Sequence, residues 1–246
     1  MTRPSLGMTR GNMLIFGIQK FTVLDYPEHT ACVVFTPGCQ FRCGYCHNPE
    51  FVLPELIARI KHNFIPEDVF FNFLKQRVKK LDGVVISGGE PTMMPDLADF
   101  MRRVKELGFL VKLDTNGNNP VMLQNIIDAR LADYIAMDVK TSLAAYQTLV
   151  GDRAKAEAIR TSIEFIRASG IRYEFRSTLI KEIHTSEILR SMAESMRGAD
   201  MLYLQQFRPG HTLDPQFGKY HAFSKEEMEE IADVFREQVK HVSVRV

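Results

Sequence analysis

Short apolar runs of strand length alternate with segments of helical periodicity along the whole chain, and this alternation restricts the fold more than any other feature. Strands are expected at 30–36, 83–87, 109–114, 133–138, 171–179, 201–206 and 241–246, with an edge strand at 14–21. Helices are expected at 53–62, 66–80, 96–107, 120–130, 155–169, 185–197 and 224–239. Within 66–80, Val69, Phe70, Phe73, Leu74 and Val78 recur near helical spacing and read as the core face. Alternation of this kind builds a parallel sheet with right-handed crossovers. The run 30–36 is almost continuously apolar, as a strand covered on both faces is. About six β/α units are present, short of the eight that close a barrel, so the expected fold is an α/β protein with an open, partial (β/α)6 TIM-like barrel. No linker or low-complexity tract interrupts the rhythm. One domain over 1–246 is expected, with 1–12 a loose leader and Met8 or Met13 an alternative start.

The first core strand runs directly into Cys39-Gln40-Phe41-Arg42-Cys43-Gly44-Tyr45-Cys46-His47, three cysteines at C-x3-C-x2-C spacing. Cysteines this close are poorly placed to find disulfide partners, and Cys32, the fourth, lies inside the apolar run. Ligation of an inorganic centre is the better account. Zinc takes four ligands, with His47 available as the fourth; an iron–sulfur cluster usually takes four cysteines, so three leave one iron open.

The spacing, the preceding strand and the aromatic Tyr45 before the last cysteine resemble the radical S-adenosylmethionine (SAM) enzymes. In that family three cysteines hold a [4Fe-4S] cluster and SAM chelates the fourth iron. The resemblance implies Cys39, Cys43 and Cys46 as cluster ligands, with Tyr45 against the adenine. It also implies the partial barrel.

Later strand ends extend the resemblance. Gly88-Gly89-Glu90 resembles the segment that holds the SAM amino group; glycines let backbone approach a ligand, and a carboxylate accepts from a cationic amine. Asp114-Thr115-Asn116-Gly117 and Asp138-Val139-Lys140 each read in isolation as caps or solvated loops. Together they are similar to the glycyl-radical-enzyme activases. That resemblance implies a monovalent-cation site from Asp114, Thr115, the Ala136 carbonyl and Asp138. It further implies Asp138 and Arg176 near the SAM ribose and Lys140 opposite the SAM carboxylate. In Gln205-Gln206-Phe207 the sequence departs from the family's adenine-contacting histidine, and Gln206 is the candidate for a base edge. His184, His211 and His221 fall in late loops and receive no role.

Composition narrows the partners. Lys+Arg and Asp+Glu number 31 and 30, so no basic field marks a nucleic-acid binder. No apolar run approaches the roughly 20 residues of a membrane span, and a reducing cytosolic setting suits unpaired thiols. The segment 17–27 and Cys46-His47-Asn48-Pro49-Glu50 resemble the branch of anaerobic ribonucleoside-triphosphate reductase activating proteins. The resemblance implies reductive cleavage of SAM to a 5′-deoxyadenosyl radical, which abstracts hydrogen from a glycine of a partner glycyl radical enzyme of the reductase or pyruvate formate-lyase type. Flavodoxin or ferredoxin would donate the electron. Two other readings stand beside it: a radical SAM enzyme acting on a small molecule of the deazapurine-precursor type, and a zinc-binding interaction module.

Overall fold

The computed structural model describes residues 12–246; the leader expected over 1–12 lies, apart from Asn12, outside the described residues. Eight strands form one sheet in chain order: β1 (Gly17–Thr22), β2 (Ala31–Thr36), β3 (Gly83–Gly88), β4 (Leu110–Thr115), β5 (Tyr134–Asp138), β6 (Arg172–Leu179), β7 (Met201–Gln206) and β8 (His241–Arg245). β1 pairs antiparallel with β2, and every later pairing is parallel. Among the described residues β8 does not return to β1, so the barrel stays open, as expected.

The crossovers are α1 (Pro54–Ile60), α2 (Glu67–Lys75), α3 (Leu97–Glu106), α4 (Pro120–Asp128), α5 (Tyr146–Val150), α6 (Ala156–Ala168), α7 (Ser186–Ser195) and α8 (Lys225–Arg236). Three of their starts carry side-chain caps. Asn119 and Thr185 cap α4 and α7, and Ser224 with Glu227 forms a capping box on α8. One face of each helix from α2 to α8 packs on alternate strand residues such as Cys32, Val34, Val84 and Ile86, and this core runs continuously from Met13 to Val239.

Opposite strand positions turn into the barrel, where Tyr26, Ala31, Val33, Val85 and Tyr134 form a separate apolar plug. The period of two separates these sets. Above the plug the interior becomes polar, and the next inward residues of β4 and β6 are Lys112 and Glu174, both buried.

Three expectations need correction. The run at 14–21 pairs only from Gly17 onward, and Ile15 instead bridges Ile65. The helix expected over 66–80 ends at Lys75, and its buried face is Glu67, Phe70, Phe71 and Leu74, with Phe70 stacked on Phe100 at 5.3 Å. Val69 is 51% and Val78 42% exposed, because the i, i+3, i+4, i+7 set facing α3 starts at Glu67 rather than Val69. Between the strand expected at 133–138 and the helix expected at 155–169, where a loop is expected, the chain forms α5 and a preceding helical turn at Leu143–Ala145, too short for a periodicity signal.

Candidate active site

The cysteine loop is fixed from both sides. Inside, Arg42 donates its backbone N–H to Val150 O (2.7 Å) and its Nη1 to Cys39 O and Phe41 O (2.7 and 2.8 Å). The buried Phe41 ring packs near Tyr146, with centroids 6.2 Å apart. Cys46 N donates to Cys43 O at 3.0 Å, which folds the last two cysteines into one turn. Outside, Leu213 N donates to Cys46 O and Asp214 N to Gly44 O, both at 2.9 Å, and a side chain on Gly44 would run into the Phe217 ring. The loop of 207–220 therefore clamps the cysteine loop from above.

Gly88 and Gly89 serve the same loop. A Cβ on Gly88, at φ +115°, would sit 2.3 Å from Thr36 N, and one on Gly89 would sit 2.1 Å from Gly38 O. The end of β3 can lie this close to the chain entering Cys39 only without side chains. Glu90 N then donates to Gly38 O at 2.7 Å.

The Glu90 carboxylate is fully engaged within the chain. Oε1 accepts from Thr92 N, Thr92 Oγ1 and Thr115 Oγ1 (3.1, 2.5 and 2.7 Å), and Oε2 accepts from Asn116 N (2.7 Å). Burial pushes its carboxyl above the usual range, against the pull of these donors. The residue expected beside the SAM amine lines the cavity and also ties the ends of β3 and β4 together.

From β4 to β6 the wall is ionic. Asp114 Oδ1 accepts from Lys112 Nζ at 2.6 Å; Oδ2 accepts from Ser87 Oγ at 3.0 Å and Arg176 Nη1 at 3.5 Å. Asp138 Oδ1 accepts from Arg176 Nε at 2.7 Å and Oδ2 from Lys140 Nζ at 2.8 Å. Burial would raise both carboxyls, but Arg176 with Lys112 or Lys140 outweighs it and holds them below the usual range. Burial alone would lower Lys140; Asp138 leads the charges that instead keep its ammonium strongly protonated.

A single cavity of about 260 Å³ is lined by all three clustered cysteines, Tyr45, Gly88, Gly89, Glu90, Asp114, Thr115, Asp138, Lys140 and Arg176. Ala136 lies buried in β5 opposite Asp114 and Glu174 and is not in this wall. Gln206 is also outside it: Nε2 donates to Phe223 O at 2.7 Å, and the residue borders a neighbouring cavity of about 330 Å³. His47 and Thr178 line both cavities. Sequence reasoning passed over Lys112, although it stands two residues before Asp114 and so shares its face of the strand.

A family model described as the radical SAM superfamily matches residues 33–194. The chain belongs to the radical SAM superfamily. It is 31% identical over 239 residues to the Methanocaldococcus jannaschii protein named "Putative glycyl-radical enzyme activating enzyme MJ1227", covering 94% of this chain and 95% of that one. It is 26% identical over 214 residues to the pyruvate formate-lyase-activating enzyme of Clostridium pasteurianum, covering 81% and 82% of the two chains. Streptococcus suis SuiB, solved bound to S-adenosylmethionine, shares the fold with a TM-score of 0.58 at 14% identity, over 87% of this chain and 52% of SuiB. This radical SAM chain is therefore an enzyme of a superfamily that uses SAM and a [4Fe-4S] cluster.

The residues present fit both groups. Cys39 Sγ accepts from Phe41 N at 3.4 Å and Asn116 Nδ2 at 3.7 Å, donors that suit a thiolate ligand and tune a cluster's potential. Burial pushes the Cys39 thiol up to about 12, with Glu90 adding to it, and the Cys43 thiol up to about 11 despite Lys140. A positive centre would have to supply the compensation for three thiolates here. All three thiols line the one cavity. The buried Tyr45 hydroxyl has no hydrogen-bond partner among the described residues, as expected of a group aimed at a ligand. Cys32 faces the helices in the core, away from this cavity.

The monovalent cation fits less well. Asp114 and Asp138 already hold protein cations, and Thr115 Oγ1 donates to Glu90 while accepting from Gly117 N at 3.1 Å.

Proposed function

We propose that this enzyme activates a partner glycyl radical enzyme by abstracting hydrogen from a backbone glycine, the partner being of the anaerobic ribonucleotide reductase or pyruvate formate-lyase type. The observation that carries the reading is the single cavity joining the three thiols to Asp138, Lys140 and Arg176, in a chain aligned almost end to end with a relative named for glycyl-radical activation. When bound, the cluster and SAM supply a one-electron cleavage that yields a hydrogen-abstracting radical.

The chain's own residues hold and shield that chemistry. Cys39, Cys43 and Cys46 would bind the cluster. The side-chain-free backbone of Gly88 and Gly89 and the face of Tyr45 would lie against SAM. Lys140, kept charged by Asp138, would face its carboxylate, and Arg176 with Asp138 would stand near its ribose. The second cavity, meeting the first at His47 and Thr178, offers an approach for a glycine loop, which brings no side chain to obstruct it. A low-potential donor such as flavodoxin or ferredoxin would deliver the electron.

Anaerobic reconstitution, reduction and electron paramagnetic resonance test this reading. A cubane signal that changes on SAM addition is expected, and a glycyl doublet is expected on incubation with the right reductase. Replacing Cys39, Cys43 or Cys46 by Ala is expected to remove the cluster and SAM cleavage, whereas Cys32→Ala keeps its iron. Full iron loading in all four variants would sink the assignment.

A further inference from the structure

Lys112 is 1% exposed, and its ammonium sits inside the barrel beneath the cavity. Nζ lies 2.6 Å from Asp114 Oδ1 and 5.9 Å from the centre of the Tyr134 ring. A buried ammonium is tolerated only where a carboxylate and other electron-rich groups replace its water. The two carboxylates that the family resemblance would give to an alkali-metal ion thus face protein cations. Asp114 meets Lys112 and Arg176; Asp138 meets Arg176 and Lys140.

Charge counting points the same way. Glu174 Oε1 is 3.9 Å from Arg176 Nη1, so within the ion-pair network Asp114, Asp138 and Glu174 match Lys112, Lys140 and Arg176, while the Glu90 carboxylate beside it is held by neutral donors of Thr92, Thr115 and Asn116. Arg245 Nη2, 4.0 Å from Glu174 Oε2 at the rim, adds a further positive charge. A metal cation on Asp114 would have to share that carboxylate with the Lys112 ammonium 2.6 Å from Oδ1, and SAM, whose sulfonium and amine exceed its one carboxylate, brings net positive charge to the same cavity.

We infer that the Lys112 ammonium is the resident cation of the Asp114 site, so that this enzyme binds SAM without a monovalent metal ion. The side chain does what a bound ion would do: it holds the Asp114 carboxylate charged and fixed beside Arg176, and Arg176 in turn holds Asp138. Being covalently attached, it cannot be exchanged or diluted away. Independence from alkali ions follows.

The inference rests on the SAM reading only for its second readout. First, the anaerobically purified full chain is dialysed to equilibrium against thallium(I), a potassium surrogate, and the bound ion is counted by mass spectrometry. Wild type is expected to retain no stoichiometric ion, and Lys112→Met to gain one per chain. Second, SAM affinity of the reconstituted enzyme is compared in sodium, potassium and tetramethylammonium chloride. Wild type is expected to show no difference, whereas Lys112→Met weakens about tenfold or more in tetramethylammonium and recovers with potassium. A stoichiometric ion in wild type, or a folded Lys112→Met that takes up none, overturns the inference. If Lys112→Met does not fold, Lys112→Arg decides: it is expected to fold ion-free, and an ion bound to it overturns the inference. Ion counts that hold while SAM cleavage is absent would remove the proposed function and leave this assignment standing.

Discussion

Glu90 joins two strand ends through four accepted hydrogen bonds, and it is buried. Glu90→Gln keeps the shape but replaces one acceptor oxygen by an NH2 that faces a backbone N–H in either orientation, Thr92 N or Asn116 N. A loss of about 2 to 3 kcal/mol is expected, read as a lower midpoint in denaturant unfolding, with weaker SAM binding because Asn116 and Thr115 lose their anchor. An unchanged midpoint would show that the tie is not formed in solution. The motif drew notice to Glu90 in the sequence, but not to this role. Thr92 is a local cap contact two residues on, but the donors Thr115 and Asn116 meet the carboxylate only through the approach of β3 to β4 and stand at no fixed spacing from it. Lys112 shows the opposite case: period-two reading from Asp114 places it on the barrel interior, and only the apolar look of its neighbours hid it.

Two loops act as elements of the site. The loop of 207–220 lays Phe217 over Gly44, its ring centroid 6.1 Å from that of Tyr45, and donates two backbone hydrogen bonds to the cysteine loop. Phe217→Ala is expected to leave the cluster assembled but to speed its loss to air or chelator severalfold, followed by the decay of visible absorbance. Equal decay rates would remove the cover from the picture. Beneath it, His184 is 2% exposed; Nδ1 accepts from Ile180 N at 2.9 Å and Nε2 lies 3.0 Å from Lys140 O. The ring thus braces the Lys140 backbone from the turn after β6.

Burial lowers the His184 pKa below 6.5, against the two backbone contacts that favour its charged form. The unfolded chain then binds more protons between the folded value and 6.5. Stability contributed by this group is complete above 6.5 and falls as the pH drops through that window. Thermal midpoints at about pH 7 and about pH 5.5 should therefore differ more in wild type than in His184→Gln. Sequence reasoning gave His184 no role, and a loop histidine carries no sign that it will be enclosed.

In the whole molecule, the open barrel fixes where chemistry can occur. Strand order β1 to β8 without closure leaves the C-terminal rim accessible beside β7 and β8, where the second cavity lies. No helix among the described residues is long and apolar enough to cross a membrane. The alternation of strand and helix, the inward and outward sets on each strand, and the capped starts of α4, α7 and α8 follow from local chemistry, so the amino-acid order alone determined them. It also determined the cysteine loop, since ligands carried on one short segment need no distant partner. Tertiary structure decided what distant segments do to one another. It sent Gln206 to Phe223 and closed Glu90 onto β4. It set the buried face of α2 against Phe100 and the Lys112 ammonium over the Tyr134 ring. Each of these is a contact between residues far apart in the chain, selected by packing and charge balance rather than by any local pattern.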